Sequence, residues 1–135
     1  MILIQLLLAM LLPSSHDHLT LTVTIENLPS TDGVVHVGLF AGDERWLEVA
    51  DIGKKASIDK DNTVTVQFTD LHPGTYAISF YHDENNNDEM DYNLIGFPKE
   101  AFGFSAGAKA VLKAPYFEEA TFEVTEDMDL TLSPQ

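Results

Sequence analysis

Five carboxylates and three carboxamides fall within nine residues of this chain, Asp83 to Asp91 (DENNNDEMD). The acids are Asp83, Glu84, Asp88, Glu89 and Asp91, with Asn85, Asn86 and Asn87 among them. Like charges this close repel, so the segment either stays extended in solvent or gathers around a cation. The spacing favours the cation. Asp83, Asn85, Asn87 and Asp91 stand at positions 1, 3, 5 and 9 of a calcium loop, and Glu89 stands at position 7, where such loops offer a backbone carbonyl. Calcium takes six to eight hard oxygens, which Asp and Asn at alternate positions of a tight loop supply. Ca2+ is therefore the expected cofactor.

Two positions depart from the pattern. Position 6, usually Gly for a sharp turn, is Asp88; Asp enters the left-handed region more readily than most residues, though less readily than Gly. Position 12 is Leu94, so the usual bidentate Glu must be replaced from elsewhere, and Glu100 and Glu84 are the candidates. No helical pattern flanks the loop, which excludes an EF-hand. The competing expectation is a solvated acidic loop that holds no ion.

Fold-back of the following segment would bring Glu100 to the cation. Gly96, Gly103 and Gly107 permit such a reversal, Pro98 stiffens it, and Phe97, Phe102 and Phe104 are expected to pack it onto the body of the protein. Lys99 would pair with the acids if no metal binds.

The elements that must position this loop read as strands. Leu19–Ile25 (LTLTVTI) alternates strictly between apolar residues and threonines, as a half-buried strand does. Val34–Phe40 is apolar on both faces, and its His36 reads as a core-edge or surface residue with no ligand role. Ala41–Ile52 has weak helical character, with Trp46, Leu47 and Val49 expected to face inwards. Lys54–Ile58 is a short strand candidate. Thr63–Thr69 alternates again, and Thr75–Tyr81 is the expected central strand, running straight into the acidic loop. Ala106–Ala114 is a weak strand or turn, and Ala120–Thr125 and Met128–Leu132 are the last two strands. Turn signals such as Asp32-Gly33 and Pro73-Gly74 separate these runs. About seven short strands without a convincing helix predict an all-β chain, an antiparallel β-sandwich of immunoglobulin or transthyretin-like type with one long acidic loop.

Composition narrows the function. The chain has 135 residues, with 22 acids against 7 bases and a net charge of -15. Phosphate contacts need clustered Lys and Arg, so a nucleic-acid partner is excluded, and anionic lipid is disfavoured. There is no Cys, hence no disulfide and no thiolate metal site. Met1–Leu12 is apolar except for Gln5. It is too short to span a bilayer but fits the apolar part of a secretory signal. Residues 1–15 are therefore expected to be a signal peptide and residues 16–135 a single domain, exported to the periplasm or beyond. Millimolar extracellular calcium would fill even a weak site.

Three stretches carry a family resemblance: DLHPGTYAISFYHDENNNDEMD from Asp70, GFPKEAFGFS from Gly96, and APYFEEATFEV from Ala114. Together with VHVGLFAG from Val35, they resemble the bacterial domain-of-unknown-function family 2141, over roughly Leu19 to Leu132. That resemblance implies export and a β-sandwich; it supplies no activity.

Catalysis is not expected. No G-x-S-x-G, H-E-x-x-H or phosphate-binding Gly loop is present, and His82 and Asp83, adjacent on a strand, point to opposite faces. The expected function is a non-catalytic domain whose calcium loop at 83–91 orders the fold or a surface for an unknown protein or glycan partner. The alternative is a carbohydrate- or peptide-binding module using the aromatics between 92 and 117, namely Tyr92, Phe97, Phe102, Phe104, Tyr116 and Phe117.

Overall fold

Alternation in the sequence becomes burial in the computed structural model, which describes residues 18–135. In strand β1 (Leu19–Ile25) every second residue is buried, Leu19, Leu21, Val23 and Ile25. Strand β2 (Val34–Phe40) buries Val35, Val37 and Leu39, and β4 (Val64–Leu71) buries Val64, Val66, Phe68 and Leu71. The remaining strands are β3 (Ile52–Ser57), β5 (Gly74–Asp83), β6 (Phe102–Phe104), β7 (Thr121–Val124) and β8 (Met128–Leu132). One short helix, α1 (Phe117–Ala120), precedes β7.

Two sheets share these strands. The smaller has the order β4-β1-β8; the larger runs β3-β2-β5, with β6 and β7 dividing the far edge of β5. β7 pairs along Gly74–Ala77 and β6 along Ser79–Tyr81, so β5 is flanked on both sides for most of its length. The inner faces meet in one apolar core, in which Phe68, Leu21, Ile25, Leu39 and Ile78 are the largest fully buried side chains. This is the expected all-β sandwich, with eight strands among the described residues. Its pairings are antiparallel except that β1 and β8 run parallel, from Leu21 beside Met128 to Ile25 beside Leu132. Among the described residues no helix is long and apolar enough to cross a membrane. The expected signal segment, 1–15, lies outside the described residues.

Three local expectations are corrected. The strand after the acidic loop is Phe102–Phe104, not Ala106–Ala114, because the Gly103 backbone must lie directly over Phe80: a Cβ there would come within 2.5 Å of that ring. The 41–52 excursion is a series of turns, and Leu47 and Val49 are exposed. Trp46 does anchor it, with its ring against Phe40, Phe104 and Phe117 and its indole N–H donating to the Pro115 carbonyl at 2.9 Å. Finally, the strand at the third position begins at Ile52 rather than Lys54.

Candidate metal centre

Strand β5 ends in two buried polar residues that face opposite ways, as strand pleating requires. His82 and Asp83 each expose none of their surface. His82 donates through Nε2 to the Asp32 carbonyl at 2.6 Å, while its Nδ1 finds no hydrogen-bond partner among the described residues and lies 3.9 Å from a Glu84 carboxylate oxygen. Asp83 turns to the outer face of the larger sheet, and the loop is built around its carboxylate. Its Oδ1 accepts the Asn87 N–H at 3.1 Å, and its Oδ2 accepts the Asp88 N–H at 2.8 Å and the His36 Nε2–H at 3.0 Å.

The alternate-position side chains form a ladder of local bonds. Asn85 Oδ1 accepts the Asn87 N–H at 3.3 Å, and Asn87 Oδ1 accepts the Glu89 N–H at 3.1 Å. Both amide groups converge on Asp91: Asn85 Nδ2 donates to one carboxylate oxygen and Asn87 Nδ2 to the other, each at 2.7 Å. Asp88 carries the sharp turn with φ 60, the left-handed conformation expected of the residue at position 6. Asn86, at φ 54, shares the reversal.

Glu100 returns to the loop. Residues 92–98 double back through paired Tyr92 and Pro98, and the Lys99 N–H donates to the Asp91 carbonyl at 2.7 Å. That delivers the Glu100 carboxylate, 7% exposed, between the loop's two ends. One of its oxygens accepts the Glu84 N–H at 2.8 Å and the other the Asp91 N–H at 3.0 Å. Hydrogen bonds thus connect Asp83, Asn85, Asn87, Asp91 and Glu100 into one compact loop. Glu89 is different: it is exposed, and its backbone rather than its carboxylate takes part.

Two side chains in the site escaped the sequence reading. His36, given there no ligand role, reaches Asp83 and lies 3.5 Å from an Asp88 oxygen. Lys55, not Lys99, is the lysine that pairs with the acids, 3.2 Å from Asp88. Among the described residues, His36, Asp83 and Asp88 are the one group of three or more His, Asp or Glu whose ligand atoms all lie within 4.8 Å of one another. Asp83, Asp91 and Glu100 are not gathered that closely. Register explains the first omission. His36 pairs with Tyr81 across β2 and β5, its ring stacked on the tyrosine at 4.6 Å, and Val34 pairs with Asp83 one step along the same face. The pleat of β2 puts His36 on the outer face, but only the long-range pairing of β2 with β5 brings it to Asp83, 47 residues away.

The electrostatics follow. Burial alone pushes the Asp83 carboxyl up, yet the His36 hydrogen bond, the N–H groups of Asp88 and Asn87 and the His36 charge hold it below its ordinary value of 3.8. Tyr81 moves the other way: burial and the nearby charges of Asp83, Asp88, Glu100 and Glu89 raise it. The site is ordered for negative charge on Asp83 and surrounded by more of it.

The aromatic segment divides. Phe102, Phe104 and Phe117 are half-buried, the last two against Trp46, and do not form an open stacking platform. Phe97, expected to pack inwards, is 57% exposed. It belongs to an apolar tip with Tyr92, Leu94 and Ile95, in which Leu94 is wholly exposed. The tip is nonetheless ordered: Asn93 Oδ1 accepts the N–H groups of Ile95 and Phe97 at 2.9 and 3.0 Å.

A protein-family model described as "Uncharacterized protein conserved in bacteria (DUF2141)" matches residues 23–131. The match spans both sheets, the acidic loop and the Glu100 fold-back. The chain belongs to this family, as its loop and GFPKEAFGFS segment implied. No curated protein and no solved structure matches it.

Proposed function

We propose that the 83–91 loop binds Ca2+, with Asp83, Asn85, Asn87 and Asp91 as side-chain ligands, the Glu89 backbone carbonyl as a further oxygen, and Glu100 completing the set. The observation that carries this is the Asp88 turn. A side-chain-bearing residue takes φ 60 where calcium loops place Gly, and the oxygens at positions 1, 3, 5 and 9 lie within one hydrogen-bonded turn. The same turn gathers backbone N–H groups onto the buried carboxylates of Asp83 and Glu100, so two of the proposed ligands are held in place without an ion.

The domain is read as non-catalytic and exported, in a compartment where calcium is plentiful. Bound calcium would offset two of the five negative charges between Asp83 and Asp91 and hold the loop against β5, presenting the apolar 92–97 tip as a binding surface. The exposure of Tyr92, Leu94, Ile95 and Phe97 favours a protein or glycan partner at this tip, since clustered exposed apolar side chains mark interaction sites.

A thermal melt in EGTA and in millimolar calcium tests the site, repeated on the double variant Asp83→Ala, Asp91→Ala. Calcium should raise the melting temperature of the wild type and leave the double variant unmoved. An unchanged wild-type melt would falsify the proposal.

A further inference from the structure

Resting on the calcium assignment of the loop, we infer that His36 is a positioning residue for the cation: it acts through Asp83, at loop position 1, rather than touching calcium itself. His36 lies in the middle of a three-strand row on the outer face. Lys55 is its partner on β3 and Tyr81 its partner on β5. Stacking on Tyr81, with ring planes 9° apart, leaves the imidazole little rotational freedom. Its Nε2 points at Asp83 Oδ2, 3.0 Å away.

The consequence is a division of labour within one carboxylate. Each carboxylate oxygen has two lone-pair sites. Oδ2 is occupied by His36 and by the Asp88 N–H, whereas Oδ1 accepts only the Asn87 N–H. His36 therefore fixes the carboxylate by one oxygen and leaves the other with a lone pair for the cation. Partners that orient a metal's ligands in this way typically contribute about 10–100-fold in affinity. The same histidine also faces Asp88, the residue that makes the position-6 turn, at 3.5 Å. One side chain from β2 thereby touches both the first ligand and the turn that shapes the loop.

Two substitutions separate the hydrogen bond from the packing. His36→Phe keeps a ring against Tyr81 but has no donor. His36→Gln loses the stack but can place an amide N–H near the position of Nε2. Calcium alone is titrated into wild type and both variants by calorimetry at neutral pH, and each protein is melted in EGTA. His36→Phe should weaken calcium about 10–100-fold, and His36→Gln should recover most of that loss. The EGTA melts should not follow the same order, because Gln sacrifices the stack. Wild-type affinity in His36→Phe, or equal weakening in both variants, overturns the role of His36 while leaving the calcium assignment standing. Absence of calcium binding to the wild type overturns both.

Discussion

Glu100→Gln is the sharpest single perturbation of the loop. The native carboxylate closes it by accepting two backbone N–H groups from opposite ends, Glu84 at 2.8 Å and Asp91 at 3.0 Å, with 7% of the residue exposed. An amide of nearly the same shape can accept at one of those positions and must present N–H groups at the other. One of the two N–H groups then loses its acceptor and faces a donor. A hydrogen bond to a charged group contributes about 1.5–3 kcal/mol, and a buried N–H left unpaired costs about 1–3 kcal/mol. Taking about 2 kcal/mol as the combined effect after the loop relaxes, the opening equilibrium shifts roughly 30-fold, since about 1.4 kcal/mol is tenfold. The loop is polar and lies over the sandwich rather than inside it, so the shift should appear first in local opening. Native-state hydrogen exchange reads this directly: protection at the Glu84 and Asp91 amides should fall by about 10–100-fold, while amides in β1 and β2 change little. Undiminished protection at both amides would show that Glu100 does not close the loop and would remove the physical basis for bringing it to a cation.

Asp83 predicts acid sensitivity: its carboxyl is held below 3.8 in the folded state, so the unfolded chain binds the proton first as pH falls. Its stabilisation is complete above about pH 4 and is lost as pH drops through the lower folded value, so the melting temperature of Asp83→Asn should fall less steeply than that of wild type between about pH 4 and pH 2. Gly33→Ala should destabilise by about 2–4 kcal/mol in urea melts, because Gly33 has φ +70 and a Cβ there would come within 1.9 Å of the Asp83 carbonyl oxygen; a wild-type midpoint would contradict that packing. Leu94→Ser with Ile95→Ser should change stability by no more than about 0.5 kcal/mol per site, since these residues are 108% and 81% exposed. A larger loss would place them in the folded core's energetics rather than in a binding tip.

What could be read from sequence was whatever depends on neighbours along the chain. Strands β1, β4 and β5 announce themselves by alternation, because one face of each is buried, whereas β2, apolar on both faces in sequence, buries mainly one of them and leaves His36 half-buried on the other. Position 6 of the loop was legible for a similar local reason: Asp enters the left-handed region more readily than most residues, and Asp88 has φ 60. Strand β6 was not, since three residues give no period and its identity depends on Gly103 fitting over Phe80. The parallel direction of β8 was hidden because alternation reads the same in both directions. His36 and Lys55 were hidden because a register, not a motif, brings them to Asp83 and Asp88. Lys99 was the plausible lysine by proximity in sequence, but the lysine that meets Asp88 comes from β3.

Strand β5 explains why a loop site should matter to the whole domain. Its inward residues, Ile78, Phe80 and His82, belong to the buried interior; its outward Tyr81 stacks on His36; and its last residue, Asp83, is the first oxygen of the loop. A ligand that binds only the folded state stabilises it by mass action, about 2.7 kcal/mol when present at one hundred times its dissociation constant. If every ligand lay in a loop able to open on its own, that stabilisation would be confined to the loop, and a global melt would miss it. Here the proposed first ligand, Asp83, is the buried end of β5, paired with β2 through Val34. Freeing it means fraying β5 from β2 and exposing the polar cluster beneath. Calcium bound at Asp83 should therefore be felt in global unfolding, whereas the contribution of Glu100, whose carboxylate accepts only loop N–H groups, should be felt mainly in local opening. A calcium-dependent melt that survives Glu100→Gln but not Asp83→Ala would express that difference.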